Sequence, residues 1–136
     1  MTLVVDSSTV VAALIDTGPV GVWAGSIMRS GPLAAPHLMP VEAANILRRS
    51  ALARDISAEV ASLAHGDLIS MRVELFPYLP IGRRSWELRA NVTAYDAWYV
   101  ALAESLGADL ATLDVKLSRS TGPRCGFQTP PTQGRA

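Results

Sequence analysis

Residues 93–114, Thr93-Ala-Tyr-Asp96-Ala-Trp-Tyr99-Val-Ala-Leu-Ala103-Glu-Ser-Leu-Gly107-Ala-Asp109-Leu-Ala-Thr112-Leu-Asp114, decide the fold. From Ala94 to Ala103 apolar residues take nearly every helical position and Asp96 is the sole ionisable acid, so a helix here must be buried all round. Thr93 is a capping type and Gly107 a helix stop. Asp109 to Leu113 then reads as a strand that finishes at Asp114. A helix covered on every side beside an apolar strand requires a sheet with helices on both faces.

Working outward, Leu3-Val4-Val5 is a β-branched apolar run ending in Asp6, and Ser7, Ser8 and Thr9 open a helix that continues through Val10–Ile15 to Gly18-Pro19. Val20–Arg29 is a second helix, ended by Gly31-Pro32, and Leu33-Ala34-Ala35 a second strand. After Pro40, Val41–Ala53 has Val41, Ala44, Leu47 and Ala51 at helical spacing, with Glu42, Asn45 and Arg49 on another face. Ser57 precedes a partner helix over Ala58–Ile69, Val73–Tyr78 reads as a strand, and Pro80 opens a helix through Leu88 and Ala90. A helical turn through Leu117 and a strand near Cys125–Thr129 follow. The expected architecture is α/β, a three-layer α/β/α sandwich around a parallel sheet of four to five strands. It forms a single domain over residues 1–130, with 131–136 as a flexible tail.

Composition narrows the function. At 136 residues the chain suits one domain, and 49% apolar against 18% charged residues excludes disorder. The longest uncharged stretch, Thr17–Met28, is too short and too broken by glycine and proline to span a bilayer, so no membrane role is expected. A lone Cys125, and an N-terminus with no basic segment before its apolar run, fit a cytoplasmic protein. Twelve basic and twelve acidic residues balance, yet if four acids were gathered into one site the other basic residues would face only eight acids. Eleven of the basic residues are arginine, the side chain that grips phosphate with a planar fork.

In an open parallel sheet, sites form beyond the carboxyl ends of the strands. Asp6 and Asp114, each placed at a strand end, should therefore emerge on one edge. Glu42, in the first turn after the second strand, has an arm long enough to reach that edge, and Asp96 in its buried helix demands a cation. Singly, each acid has a plain reading as a helix cap, a dipole-stabilising residue or a solvated position. Together they would repel one another unless a hard divalent ion held them ionised, which implies Mg²⁺ or Mn²⁺. Zinc is disfavoured because His37, His65 and Cys125 lack ligand spacing. Neither a G-x-S-x-G nucleophile turn nor a glycine-rich phosphate loop occurs. A phosphatase or phosphoacceptor is disfavoured because Ser8, not a second Asp, follows Asp6 at two residues.

Four blocks carry a family resemblance: Val4-Val-Asp6-Ser-Ser8, Pro40-Val-Glu42-Ala-Ala-Asn45, Tyr95-Asp96-Ala-Trp-Tyr99 through Glu104, and Leu110-Ala-Thr112-Leu-Asp114. In order and spacing the chain resembles PIN-domain ribonucleases, especially the VapC-like toxins of toxin–antitoxin pairs. The resemblance implies a Mg²⁺- or Mn²⁺-dependent endoribonuclease in which Asp6, Glu42, Asp96 and Asp114 hold the metal and an activated water cleaves structured RNA, tRNA or rRNA being the candidates. Ser8, Thr112 and Asn45 would steady those carboxylates or a water, and Arg83, Arg84 and Arg89 would track RNA phosphates. A small VapB-like antitoxin and a second copy of the chain are the implied protein partners. The competing reading is a non-catalytic PIN-like module that binds RNA or a partner.

Overall fold

The computed structural model describes residues 1–132. Five strands form one parallel sheet: β1 (Leu3–Val5), β2 (Leu33–Pro36), β3 (Val73–Phe76), β4 (Asp109–Ala111) and β5 (Phe127–Gln128). Their spatial order is β3-β2-β1-β4-β5, and β1 sits in register with both neighbours, Leu3 opposite Leu33 and Asp109, Val4 opposite Ala34 and Leu110. The connecting helices are α1 (Ser7–Ile15), α2 (Pro19–Met28), α3 (Met39–Leu52), α4 (Ala58–Ile69), α5 (Gly82–Glu87), α6 (Ala94–Leu106) and α7 (Val115–Ser118).

The strand order explains the layers. From β1 the chain steps through β2 to β3 in one direction, then crosses to β4 and β5 in the other. Right-handed crossovers place α1–α4 on one face of the sheet and α5–α7 on the opposite face. The contacts agree: α1 packs on α2, α3 and α4, while α6 packs on α5 and along β1, β2 and β4. The three-layer α/β/α arrangement expected from the sequence is therefore present. Its centre is made of Val4, Val5, Val10, Ala97, Val100, Ala103, Leu110 and Ala111, all with no exposed surface.

Several boundaries differ from those read in the sequence. The strand expected to run to Leu113 and finish at Asp114 pairs only as far as Ala111. The next residues bend because Thr112 Oγ1 accepts the Asp114 N–H at 3.0 Å and Asp114 turns to cap α7. The helix expected from Pro80 to Ala90 is split into a 3-10 turn, Leu79–Ile81, and the short α5. At the end of α6, Gly107 adopts φ 62°, a left-handed turn that costs other residues about 1 kcal/mol, and this aims the chain straight into β4. Pro131 and Thr132 follow β5 without regular structure. Of the expected tail, 133–136 lie outside the described residues.

Candidate active site

The sheet changes winding direction at β1 and β4, so the segments leaving these two strands diverge to opposite faces and open a crevice between them. Asp6 follows β1 directly, and Thr112-Leu113-Asp114 follow β4. Asp6 N–H bonds the Ala111 carbonyl at 3.2 Å, and the buried Thr9 hydroxyl donates to the same carbonyl at 3.1 Å, so the two strand ends are fastened together.

Each acid sits at the start of a helix. Asp6 is the N-cap of α1, its Oδ1 accepting the Thr9 N–H at 2.9 Å, and Asp114 is the N-cap of α7, its Oδ1 accepting the Leu117 N–H at 3.0 Å. Glu42 and Asp96 lie in the first turns of α3 and α6. The plain capping readings are thus correct for Asp6 and Asp114, and they are compatible with a second role. The positive ends of four helices point at one region and ease the crowding of negative charge there.

The Asp6 carboxylate is the most firmly held. Ser8 Oγ donates to Oδ1 at 2.7 Å and Thr112 Oγ1 to Oδ2 at 2.5 Å, so both hydroxyls singled out in the sequence bear on this one acid. Asn45 behaves otherwise: it is exposed and makes no side-chain hydrogen bond among the described residues. Sequence reading missed Tyr99, whose hydroxyl donates to Glu42 Oε1 at 2.6 Å. The available signal was a phenol one turn after Asp96 within an otherwise apolar helix.

Electrostatics tie the four acids together. The Asp96 carboxyl is pushed above the ordinary carboxylate range, first by burial and then by the fields of Asp114, Asp6 and Glu42, with Thr93 hydrogen bonding opposing the shift. No arginine or lysine is ion-paired with any of the four among the described residues. Beside Asp96 and Asp114 lies a cavity of roughly 130 Å³, lined also by Asn91, Thr93, Lys116 and Ser120. Larger clefts, of roughly 470 and 510 Å³, contain none of the four acids.

Whether this group fits a metal depends on which metal. Among the described residues no three acids, histidines or cysteines are drawn together as a ready-made ligand cage. Asp96 and Asp114 line one small cavity, with Asp6 at the adjoining strand end, and the four acids do not close into a pocket. That arrangement suits Mg²⁺ or Mn²⁺ rather than zinc, because Mg²⁺ keeps several waters and is bound through one or two carboxylates plus substrate phosphate. The donors are all hard oxygens, and exposed His37 and His65 contribute nothing to the group.

The arginines divide. Arg84 closes a two-point fork on Glu104, Nε to Oε1 at 2.7 Å and Nη2 to Oε2 at 3.2 Å, and also bonds Glu87 and the Gly122 carbonyl. Its guanidinium is committed to joining α5, α6 and the segment before β5, which corrects its expected place on an RNA track. Arg89 lies over the Trp86 ring at 4.7 Å, and Arg83 is exposed.

The PIN domain family model matches residues 3–122. The chain belongs to the PIN-domain family. Ribonuclease VapC9 of Mycobacterium tuberculosis is 36% identical over 129 residues, covering 95% of this chain and 98% of that relative. Among solved structures, PAE2754 from Pyrobaculum aerophilum matches with a TM-score of 0.68 at 25% identity, over 93% of this chain and 83% of that one. VapBC2 from Rickettsia felis, solved bound to a DNA fragment from its promoter, matches at a TM-score of 0.67 over 95% of this chain and 98% of that chain. At 14% identity it shows the fold alone. The resemblance read from four sequence blocks holds over nearly the whole chain, and this PIN domain sits among VapC ribonucleases.

Proposed function

We propose that this PIN-domain chain is the toxin of a toxin–antitoxin pair, an endoribonuclease that cuts structured RNA with Mg²⁺ or Mn²⁺ held by Asp6, Glu42, Asp96 and Asp114. The observation that carries the reading is geometric: Asp6 and the segment leading to Asp114 leave strand ends that are fastened together, Asp96 shares a cavity with Asp114, and no basic side chain is ion-paired to any of the four acids among the described residues. When bound, the ion would lower the pKa of a water and offset charge on the scissile phosphate. The chain's own residues prepare for this. Ser8 and Thr112 hold the Asp6 carboxylate in place, and the bend after Ala111 turns Asp114 toward the same edge. Asp96, half-buried among like charges, is the group most relieved by a cation.

The substrate is RNA, with tRNA or rRNA as the candidate class, and exposed Arg83 together with Arg89 would meet its phosphates. A small VapB-like antitoxin, as the family resemblance implies, is the proposed partner, and a homodimer is the proposed working form. The proposed location is the cytoplasm; among the described residues no single helix is long and apolar enough to cross a membrane, and Cys125 is a free thiol. Residues 1–130 are read as one structural unit, consistent with the last paired residue being Gln128.

The test is cleavage of structured RNA by purified protein. Cutting should require Mg²⁺ or Mn²⁺, stop in excess chelator, and fall by at least about a thousandfold in Asp6→Ala or Asp96→Ala with the fold retained. Undiminished cutting in chelator would remove the metal from the mechanism. RNA binding with no cleavage under any metal would establish the non-catalytic module instead.

A further inference from the structure

Tyr99 lies in the middle of the most buried helix of the protein and is only 3% exposed, yet its hydroxyl is directed at a carboxylate 57 residues away in sequence, Glu42 Oε1, at 2.6 Å. One phenol thus reaches α3 from α6, joining helices on the two faces of the sheet at the edge where the acids stand. A buried tyrosine finds a partner for its hydroxyl as a rule; choosing a charged group on an opposing layer is a specific arrangement.

We propose that Tyr99 is a positioning residue for metal binding: its O–H fixes the rotamer of Glu42 through Oε1 and leaves Oε2 directed at the site. This inference rests on Glu42 being a metal ligand, as proposed above. The reasoning is one of order. Glu42 is anchored on α3, whose first turn has no side-chain cap, and its long arm has many rotamers in solvent. Asp6 has Ser8, Thr9 and Thr112 to hold it, whereas the Glu42 carboxylate has Tyr99 as its one recorded hydrogen-bond donor among the described residues. Fixing a ligand before the ion arrives lowers the entropy lost on binding. Groups that orient metal ligands in this way typically change affinity 10–100-fold when removed. The phenol has a single O–H to give, and Glu42 Oε1 receives it.

The experiment compares Mn²⁺ affinity, read by electron paramagnetic resonance without RNA, in wild type, Tyr99→Phe, Glu42→Gln, the double variant and Ser85→Ala. Ser85 is equally buried at 3% and donates to the Ile81 carbonyl at 3.0 Å, so its variant controls for loss of a buried hydroxyl. Tyr99→Phe should weaken Mn²⁺ binding at least about tenfold, Ser85→Ala should leave it unchanged, and the double variant should bind no worse than Glu42→Gln alone. If Glu42→Gln weakens binding while Tyr99→Phe does not, or if the two losses add, the positioning role is overturned and the metal site stands. Unchanged affinity in Glu42→Gln overturns the ligand assignment itself. Should Tyr99→Phe not fold, ¹⁹F spectra of the wild-type chain labelled at its three tyrosines provide the readout. The buried resonance must shift on Mg²⁺ addition, and a stationary one overturns the proposal.

Discussion

Replacing Thr112 by valine changes one atom that serves two of the four acids. Thr112 has no exposed surface; its Oγ1 donates to Asp6 Oδ2 at 2.5 Å and accepts the Asp114 N–H at 3.0 Å. Valine keeps the shape and removes both bonds. A hydrogen bond to an ionised carboxylate contributes about 1.5–3 kcal/mol and a neutral one about 1 kcal/mol. The loss falls at the low end because Asp6 retains Ser8 and the Thr9 N–H, and the added methyl returns up to about 0.8 kcal/mol. The net destabilisation is about 2 kcal/mol, which for a domain of this size lowers Tm by roughly 6–10 °C. Calorimetry in chelator at pH 7 measures it directly. Thr112→Ser, which keeps the hydroxyl and loses only a methyl, should fall between wild type and valine. Mn²⁺ affinity should drop about 10–100-fold in the valine variant and much less in serine, because only valine releases both Asp6 Oδ2 and the backbone turn that carries Asp114. If Thr112→Val melts within about 2 °C of wild type and binds Mn²⁺ normally, the hydroxyl does not bridge the two acids and the proposed organisation of the crevice is wrong.

Asp96→Asn should raise Tm at neutral pH in chelator. The folded carboxyl titrates above its ordinary value of 3.8, so the folded state binds the proton more tightly than the unfolded chain. Stability from this group is then fully present below the ordinary value and is lost as pH rises through the raised one. The gain from asparagine must accordingly vanish in acid, and a gain independent of pH would contradict the assignment. Arg84→Ala should lower stability by about 1 kcal/mol through loss of its fork on Glu104, while cleavage per folded molecule stays unchanged. Arg83→Ala should do the reverse, leaving Tm in place and weakening RNA binding with a shallower salt dependence, measured by filter binding in Ca²⁺. An exchange of these two outcomes would reverse their assignment.

The residues from Thr93 to Asp114 illustrate how far local pattern reaches. A cap, an all-apolar helix, a glycine stop and a strand are each encoded by neighbours a few positions apart, and all four appear where the chain places them. The identity of the acids was legible for the same reason, since an aspartate just after a β-branched run, or a carboxylate in a first turn, is a local event. Where a local rule had a competitor, the reading slipped. The β4 strand stops at Ala111 because the Thr112 hydroxyl and Asp114 satisfy the backbone by turning instead of pairing. Arg84 looked like a free cation until the fold brought Glu104 within 2.7 Å.

By itself, then, the amino-acid order determined the elements, the layered architecture and which carboxylates stand at strand ends and first helical turns, because periodicity and capping act over one or two turns of chain. Only the tertiary structure decided who holds whom: Thr112 bonds Asp6 across 106 residues and Tyr99 bonds Glu42 across 57. Those pairings follow from the strand order β3-β2-β1-β4-β5, which sets β4 against β1 and brings α6 within reach of the first turn of α3. No local pattern encodes that adjacency, since it arises from burying the sheet on both faces at once.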